Sequence, residues 1–579
     1  MSSEASNSSV SASFVQLDDA NRQTVYTGIF LRHAIQTHQF DLAKKLIAYG
    51  ADVREKTTLN QTALHLAVTN TSDVEKTGII PNYFVYLEEK FDKFIDSFNY
   101  ATTARWEEAI SLASDQRKTS DFDSAGRLSL VEMLLTFGAD VNSKDHNGCS
   151  PIQCAVYTGD LELVQTLIKA GADIENRNRM GVTPLFDSIL YCNIDMVRLL
   201  LSYGARVNAE RIDGETPLLW ATLLNRNNSH AVIIRELLKH PVDVNSECFG
   251  VTPFHCILAY ANLDLTRQFV ELKADATIVD VYRRTSLYFA APNADKDVLN
   301  LVLQMSDTEI DQKCNVLGCA PLHIAGGTCR PDNVQLLIEW GADVNAKDDD
   351  YWTPLFLCVN DSQSSILRPD FAEDRRKTIS LLLEGGSDVN AKAIVYWGQL
   401  MFESTVLEEA IRREDLEASK MIVEHVAAIE ASTSKPVFGD YNLAVIDKNY
   451  ELKGYYKKCQ AELTLMKNSK IQNTLVTYFT ILTTKSTDVL ARYARNDDVV
   501  IALKNSERIN AAYPIYSSRL RAKFDAGVVQ CKLCEDVCAV LSTLFQFVDP
   551  SNLCCSFISK YLSTADANFL VKSFNEIGN

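Results

Sequence analysis

Three groups of residue types in this chain could do chemistry, and spacing decides how each is read. Cys531-Lys532-Leu533-Cys534-Glu535-Asp536-Val537-Cys538, with Cys554 and Cys555 downstream, offers closely spaced thiols of the kind that hold zinc as thiolates. Cys534 and Cys538 continue as Leu541 and Phe545, however, an i, i+4, i+7, i+11 stripe that small apolar residues on a buried helix face explain without a metal. His65, His255 and His323 follow Leu or Phe at one recurring position, where an imidazole can hydrogen-bond a neighbouring turn. Gly326-Gly327-Thr328 lies where two short helices should meet, so a backbone break explains it better than a phosphate loop. The chain contains no Gly-x-x-x-x-Gly-Lys-Ser/Thr cradle, no His-Glu-x-x-His helix and no Gly-x-Ser-x-Gly elbow. The expectation is a non-enzyme with no catalytic residue, no metal and no cofactor.

What must position the remaining residues is a long chain of ordinary composition. At 579 residues it exceeds a single hydrophobic core, so several domains or one repeat array are expected. A net charge of −18 would repel a phosphate backbone, which argues against nucleic acid as a partner. Residues 1–27 start with a Ser-rich stretch lacking both a basic start and an apolar run, and read as a loose tail rather than a secretory signal. The best apolar stretch, Leu475 to Leu482, is short and broken by Thr477 and Thr480, so no membrane span is expected. Fifteen cysteines without regular spacing read as reduced thiols, which points to the cytoplasm, with the nucleus as the other reducing compartment.

Internal repetition organises most of the chain. Gly138-Ala139-Asp140-Val141-Asn142 returns as Gly171-Ala172-Asp173-Ile174 and as Gly204-Ala205-Arg206-Val207-Asn208, two steps of 33 residues. Further copies stand at Gly50, Asp243, Ala274, Gly341 and Gly386. After most of them comes a Thr-Pro-Leu-like element: Ser150-Pro151-Ile152, Thr183-Pro184-Leu185, Thr216-Pro217-Leu218, Thr252-Pro253-Phe254, Ala320-Pro321-Leu322 and Thr353-Pro354-Leu355, with Thr62-Ala63-Leu64 as a variant. Thr or Ser there is a helix N-cap, and Pro follows at no cost because a first-turn N–H has no intrahelical partner. A second helix should follow, with apolar residues at helical spacing, as in Leu163, Val164, Leu167 and Ile168. Glycine then supplies the left-handed residue that ends it, before a polar, projecting turn. Neither helix can bury its stripe alone, so neighbouring copies must stack into one core.

Period, cap, proline and terminal glycine together resemble the ankyrin repeat family, which implies an all-α solenoid. About ten units fit residues 28–426, with insertions near 68–127 and 361–378. Tyr83 to Phe98, inside the first insertion, has the spacing of an extra helix. The units around Leu299–Met305 and Thr405–Ala410 are degenerate.

Residues 427–449 read as a linker, and 450–579 as a small helical domain. From residue 427 on there are 18 Lys and Arg against 15 Asp and Glu, so the acidity belongs to the repeats. The order of its landmarks, Cys459-Gln460-Ala461-Glu462-Leu463, Leu490-Ala491-Arg492-Tyr493-Ala494-Arg495-Asn496 and Tyr513-Pro514-Ile515-Tyr516, resembles the PRANC domain found behind ankyrin arrays of poxviruses, Wolbachia-type endosymbionts and parasitoid wasps. In that family the end is F-box-like. Ile558, Tyr561, Leu562, Asp566 and Leu570 fall at F-box offsets, and with Phe557 and Phe569 they would form the ligase-recruiting face. The usual Leu-Pro opening is absent, and Cys554-Cys555 replaces aliphatic residues.

The resulting expectation is a protein–protein adaptor whose groove binds a target protein. The resemblance adds recruitment of a Skp-type linker and cullin, and interference with host signalling such as NF-κB. The alternative is a non-enzymatic scaffold or masking protein whose C-terminal domain only caps the solenoid. Turn-tip and inner-helix positions are the candidate contacts: His146, Asn147, Tyr157, Arg179, Met180, Tyr191, Ile212, Tyr282, Arg284, Asp350 and Trp352.

Overall fold

The computed structural model describes residues 28, 31–48, 50–69, 124–225, 228–260, 262–305, 309–360, 371–397, 400–545 and 571. The described chain is helical apart from one hairpin, and it divides into two compact units at Ala342/Asp343, with Phe371 joining the first unit. The first 27 residues and most of the 68–127 insertion lie outside the described residues.

In the first unit the short helices Ala63–Val68, Pro151–Thr158, Pro184–Leu190, Pro217–Leu224, Pro253–Tyr260, Ser286–Ala290 and Pro321–Gly327 pack in one row. Each starts where the Thr/Ser-Pro pattern or its variant requires, with the cap residue extended, as at Thr216, whose hydroxyl accepts from Leu219 N at 3.3 Å. The second helices form a parallel row that includes Leu161–Lys169, Ile194–Ser202 and Lys296–Met305. Between the rows lies the core: Leu163, Val164 and Leu167 of one unit and Met196, Val197 and Leu200 of the next are fully buried. Gly138 and Gly171 end their second helices at φ +87° and +88°, where a β-carbon would be strained. Lys273 takes the same place at φ 62° in a unit that lacks glycine.

Two polar devices tie units to their neighbours. The first is the histidine three residues into the first helix. His255 Nδ1 accepts from Thr252 N at 3.2 Å, so its proton sits on Nε2, which donates to the Ile278 carbonyl in the following finger at 3.0 Å. His65 repeats this with Thr62 N and the Cys149 carbonyl, and Gln153 reaches the same groups through its amide, to Ser150 N and Val182 O. Burial holds His255 neutral, with its pKa lowered to about 4. The second device is the asparagine of Gly-Ala-Asp-Val-Asn. Asn142 donates to Gly171 O at 3.1 Å and accepts from Asp173 N at 2.7 Å, and Asn208 and Asn245 clasp the next unit the same way.

In the second unit the finger after Asn390 is extended into an antiparallel hairpin, β1 (Lys392–Trp397) and β2 (Leu400–Thr405). The first helices Pro354–Asn360, Val406–Arg412 and Asp440–Lys448 form a row of their own, and Leu416–Thr433 packs along Tyr450–Asn468. The expected linker over 427–449 is therefore replaced by helix: one helix runs through Val426 to Thr433, and Asp440–Lys448 begins another repeat-like pair. Asn390 clasps Val437 O and Gly439 N, both at 2.8 Å, as the other asparagines clasp theirs, and buried Asn442 holds the position of the histidines, donating to Val389 O. The second expected insertion also ends early, since residues 371–378 belong to the helix Phe371–Glu384, while 361–370 lie outside the described residues.

Beyond Asn468, Thr487–Ala494 lies along the long helix Ser517–Phe545, and Gly527 makes that approach possible because a β-carbon there would sit 2.6 Å from Leu490 O. Cys534 is buried beside Leu533 and Val537, as its stripe predicts, while the Cys538 side chain and Cys554-Cys555 lie outside the described residues. Among the described residues no group of acids, histidines and cysteines could hold a metal, and no helix is long and apolar enough to cross a membrane.

Replacing His255 with Leu strands a buried amide and a buried carbonyl, at about 1–3 kcal/mol each. Urea denaturation of His255→Leu should show roughly 2–6 kcal/mol of lost stability, and a value under about 0.5 kcal/mol would contradict the bridging role.

Candidate protein-binding surface

The projecting turns are built by a side chain that closes on its own backbone. Asp145 Oδ1 accepts from Asn147 N and Cys149 N at 2.8 and 2.9 Å, and Asn178, Asp280 and Asp348 do the same in their fingers. Fingers of the first unit also bond tip to tip: His146 N to Leu59 O, Arg179 N to Asn147 O, Val281 N to Phe249 O and Asn315 N to Tyr282 O, at 2.8–3.1 Å. Along these tips Leu59, Ile212, Phe249, Val281, Val316 and Leu317 are exposed, Ile212 to 70%. Such a row of apolar side chains on a braced backbone is exposed apolar area of the kind a protein partner can cover.

The candidate contacts fall into four groups. Arg179, Met180, Ile212 and Tyr282 lie on the tips, with Arg179 and Ile212 exposed and Met180 and Tyr282 half-buried. His146, Asn147, Tyr157 and Tyr191 come together in one pocket. Arg284 is a correction: it is buried, ion-paired to Asp280 at 2.5 Å, and stacked over Phe289 with its guanidinium carbon 5.0 Å from the ring centre. A guanidinium in that setting braces the finger instead of meeting a partner. In the second unit Trp352 Nε1 donates to Ile394 O, and Asp350 accepts from the Tyr396 hydroxyl, so both are engaged with β1. The ligase-recruiting candidates Phe557, Ile558, Tyr561, Leu562, Asp566, Phe569 and Leu570 lie outside the described residues.

The pocket, about 130 Å³, sits in the angle between the fingers and the first helices. Finger residues Leu59, Asp145, His146, Asn147 and Asn178 form one side, and Gln153, Cys154, Tyr157, Asp187 and Tyr191 form the other. Tyr157 and Tyr191 meet edge to face at 5.2 Å. Asp187 is 8% exposed and accepts from Gln153 Nε2 at 3.3 Å. Burial raises its pKa to about 7, against the smaller opposing pulls of Gln153 and Arg211. Burial and the two nearby carboxylates, Asp145 and Asp187, push the Cys149 and Cys154 thiols far up, so neither supplies a thiolate.

Models of ankyrin repeats match residues 123–211 and 256–348, in the three-copy form, and 213–248 as a single repeat. The chain carries ankyrin repeats. The notch homolog protein 1 of Mus musculus is 32% identical over 100 residues, 17% of this chain and 4% of that protein. The corresponding protein of Danio rerio is 28% identical over 121 residues, 21% and 5% of the two chains. The BTB/POZ domain and ankyrin repeat-containing protein NBCL of Lupinus angustifolius is 31% identical over 70 residues, 12% and 14%. The chain therefore spans only a small part of each of these relatives.

Within the ankyrin array, sequence reasoning missed Leu59, Phe249, Val281, Val316 and Leu317, although each stands in the polar stretch after a repeat signature, where an apolar residue is out of place. It also missed Asp187, four residues after the Thr183 cap. The equivalent residues of the first unit are Leu66, Cys154, Trp220, Cys256, Phe289 and Ile324, so a carboxylate in that column, shared with Glu409 of the second unit, was the available signal.

Because the folded state favours the acid form of Asp187, it binds more protons than the unfolded state between the ordinary aspartate value of 3.8 and about 7, and this contribution to stability falls as pH rises through that window. Asp187→Asn should remove that component. Urea midpoints of the two proteins measured from pH 4 to 8 should diverge in favour of the variant as pH rises, and parallel curves would refute the assignment.

Proposed function

We propose that this chain is a non-enzymatic adaptor, in the cytosol or nucleus, whose ankyrin array holds a target protein along its finger tips and whose C-terminal segment recruits a ubiquitin ligase. Ankyrin repeats indicate a role in protein–protein interaction. The observation that carries the target-binding half is the exposed apolar row Leu59, Ile212, Phe249, Val281, Val316 and Leu317 on fingers joined by backbone hydrogen bonds. A braced row loses little entropy on binding, so its apolar area is available for affinity. The ligase half is supported by the PRANC and F-box resemblance of residues 450–579, which makes a Skp-type linker and cullin the partners to test and host NF-κB signalling the setting.

One observation favours the alternative in which the C-terminal segment closes the stack. Tyr455 and Tyr456 donate to Glu424 and Glu430 of the helix Leu416–Thr433, and the buried Tyr516, farther along the C-terminal segment, donates to Glu424 O at 2.9 Å. A cap needs such contacts, and a recruiting module tolerates them.

Two measurements test these readings, and the second separates them. The double variant Phe249→Ser/Val281→Ser should keep the far-UV spectrum and weaken target capture in cells by at least about tenfold, the loss expected of hot-spot residues. Purified full-length chain should retain a Skp-type linker and cullin, and Ile558→Ala/Leu562→Ala should abolish it. Failure of the wild-type chain to retain either protein would leave the capping reading.

A further inference from the structure

The tip row accounts for apolar contact, but it leaves the neighbouring pocket, with its deeply placed carboxylate, unexplained. We propose that the pocket formed by Asp145, Gln153, Tyr157, Asp187 and Tyr191 is a socket for one basic side chain, lysine or arginine, projecting from the bound target. This rests on the adaptor reading and specifies what its partner presents.

Charge selects the ligand class. Asp145 and Asp187 both line the pocket, and among the described residues no lysine or arginine does. An anion would meet two carboxylates, and the described residues offer no group suited to a metal ion. Asp187 stands where the other first helices of the first unit carry Leu66, Cys154, Trp220, Cys256, Phe289 or Ile324, and the acid in that column of the second unit, Glu409, is ion-paired to Arg412 and Arg413, so the desolvation of Asp187 is a cost that an entering cation offsets. The one hydrogen bond to it among the described contacts, from Gln153 at 3.3 Å, is long for a charge-assisted bond, leaving room for a stronger donor.

Shape selects a single side chain. The 130 Å³ recess is walled by fingers on one side and first helices on the other, a shape that takes the end of a long side chain. The Tyr157–Tyr191 pair gives aromatic surface for a cation and Leu59 gives apolar surface for its methylene stem.

The test is selection of a phage-displayed random-sequence peptide library on the full-length chain, in parallel on wild type, Asp187→Asn and Tyr191→Leu. Wild type should enrich peptides with Lys or Arg at one fixed position, and replacing that residue with Met should weaken binding at least tenfold. On Asp187→Asn the same replacement should change affinity less than about threefold, and Tyr191→Leu should show an intermediate loss. Enriched peptides without a fixed basic residue, or an undiminished basic preference on Asp187→Asn, would overturn the socket while leaving the adaptor reading intact. Enrichment of no peptide by wild type would overturn both.

Discussion

The structure depends on the inability of a two-turn helix to bury its own apolar stripe. A helix such as Pro184–Leu190 is too short to persist in water by itself, and Leu185, Phe186 and Ile189 become buried only because another helix pair stands on either side. Stability therefore lies in the interfaces between repeats. Every bond that crosses one, from the histidine bridges to the asparagine clasps, acts where the array is held together.

That dependence explains where variation is tolerated and where function can be placed. Caps, prolines and terminal glycines must recur because each solves a backbone problem common to all units. The finger tips and the finger-facing side of the first helices are under no such demand, since their backbone is already satisfied by Asx-type side chains and tip-to-tip bonds. Phe249, Val281 and Asp187 can thus take identities that the fold does not require, and a surface of unusual residues on a regular frame is what recognition of one partner calls for.

The second unit extends the same logic beyond the sequence signature. The pair Asp440–Lys448 and Tyr450–Asn468 lacks Thr-Pro and Gly-Ala-Asp, yet Asn390 reproduces the clasp of the repeats before it, and Asn442, at the histidine position, bonds back to Val389 O of the preceding unit. Gly439 caps the first helix of the pair, and Asn449 both ends it and caps the next. Such a pair escapes a reading based on punctuation because its continuity resides in which backbone groups it satisfies.

What the sequence determined by itself is the repeating frame: 33-residue steps, Thr/Ser-Pro helix starts such as Thr183-Pro184, left-handed glycines such as Gly171, and histidines placed to bond a neighbouring turn. These are local or near-neighbour requirements, written in residues that have few other uses. Only the tertiary structure decided that Arg284 is buried against Asp280 while Ile212 is exposed, that Tyr157, Tyr191 and Asp187 share one pocket, and that the stack runs past Val426. Those facts depend on which residues of different repeats meet once the units are stacked, and helical periodicity within one unit carries no information about the side chain that the next unit brings against it.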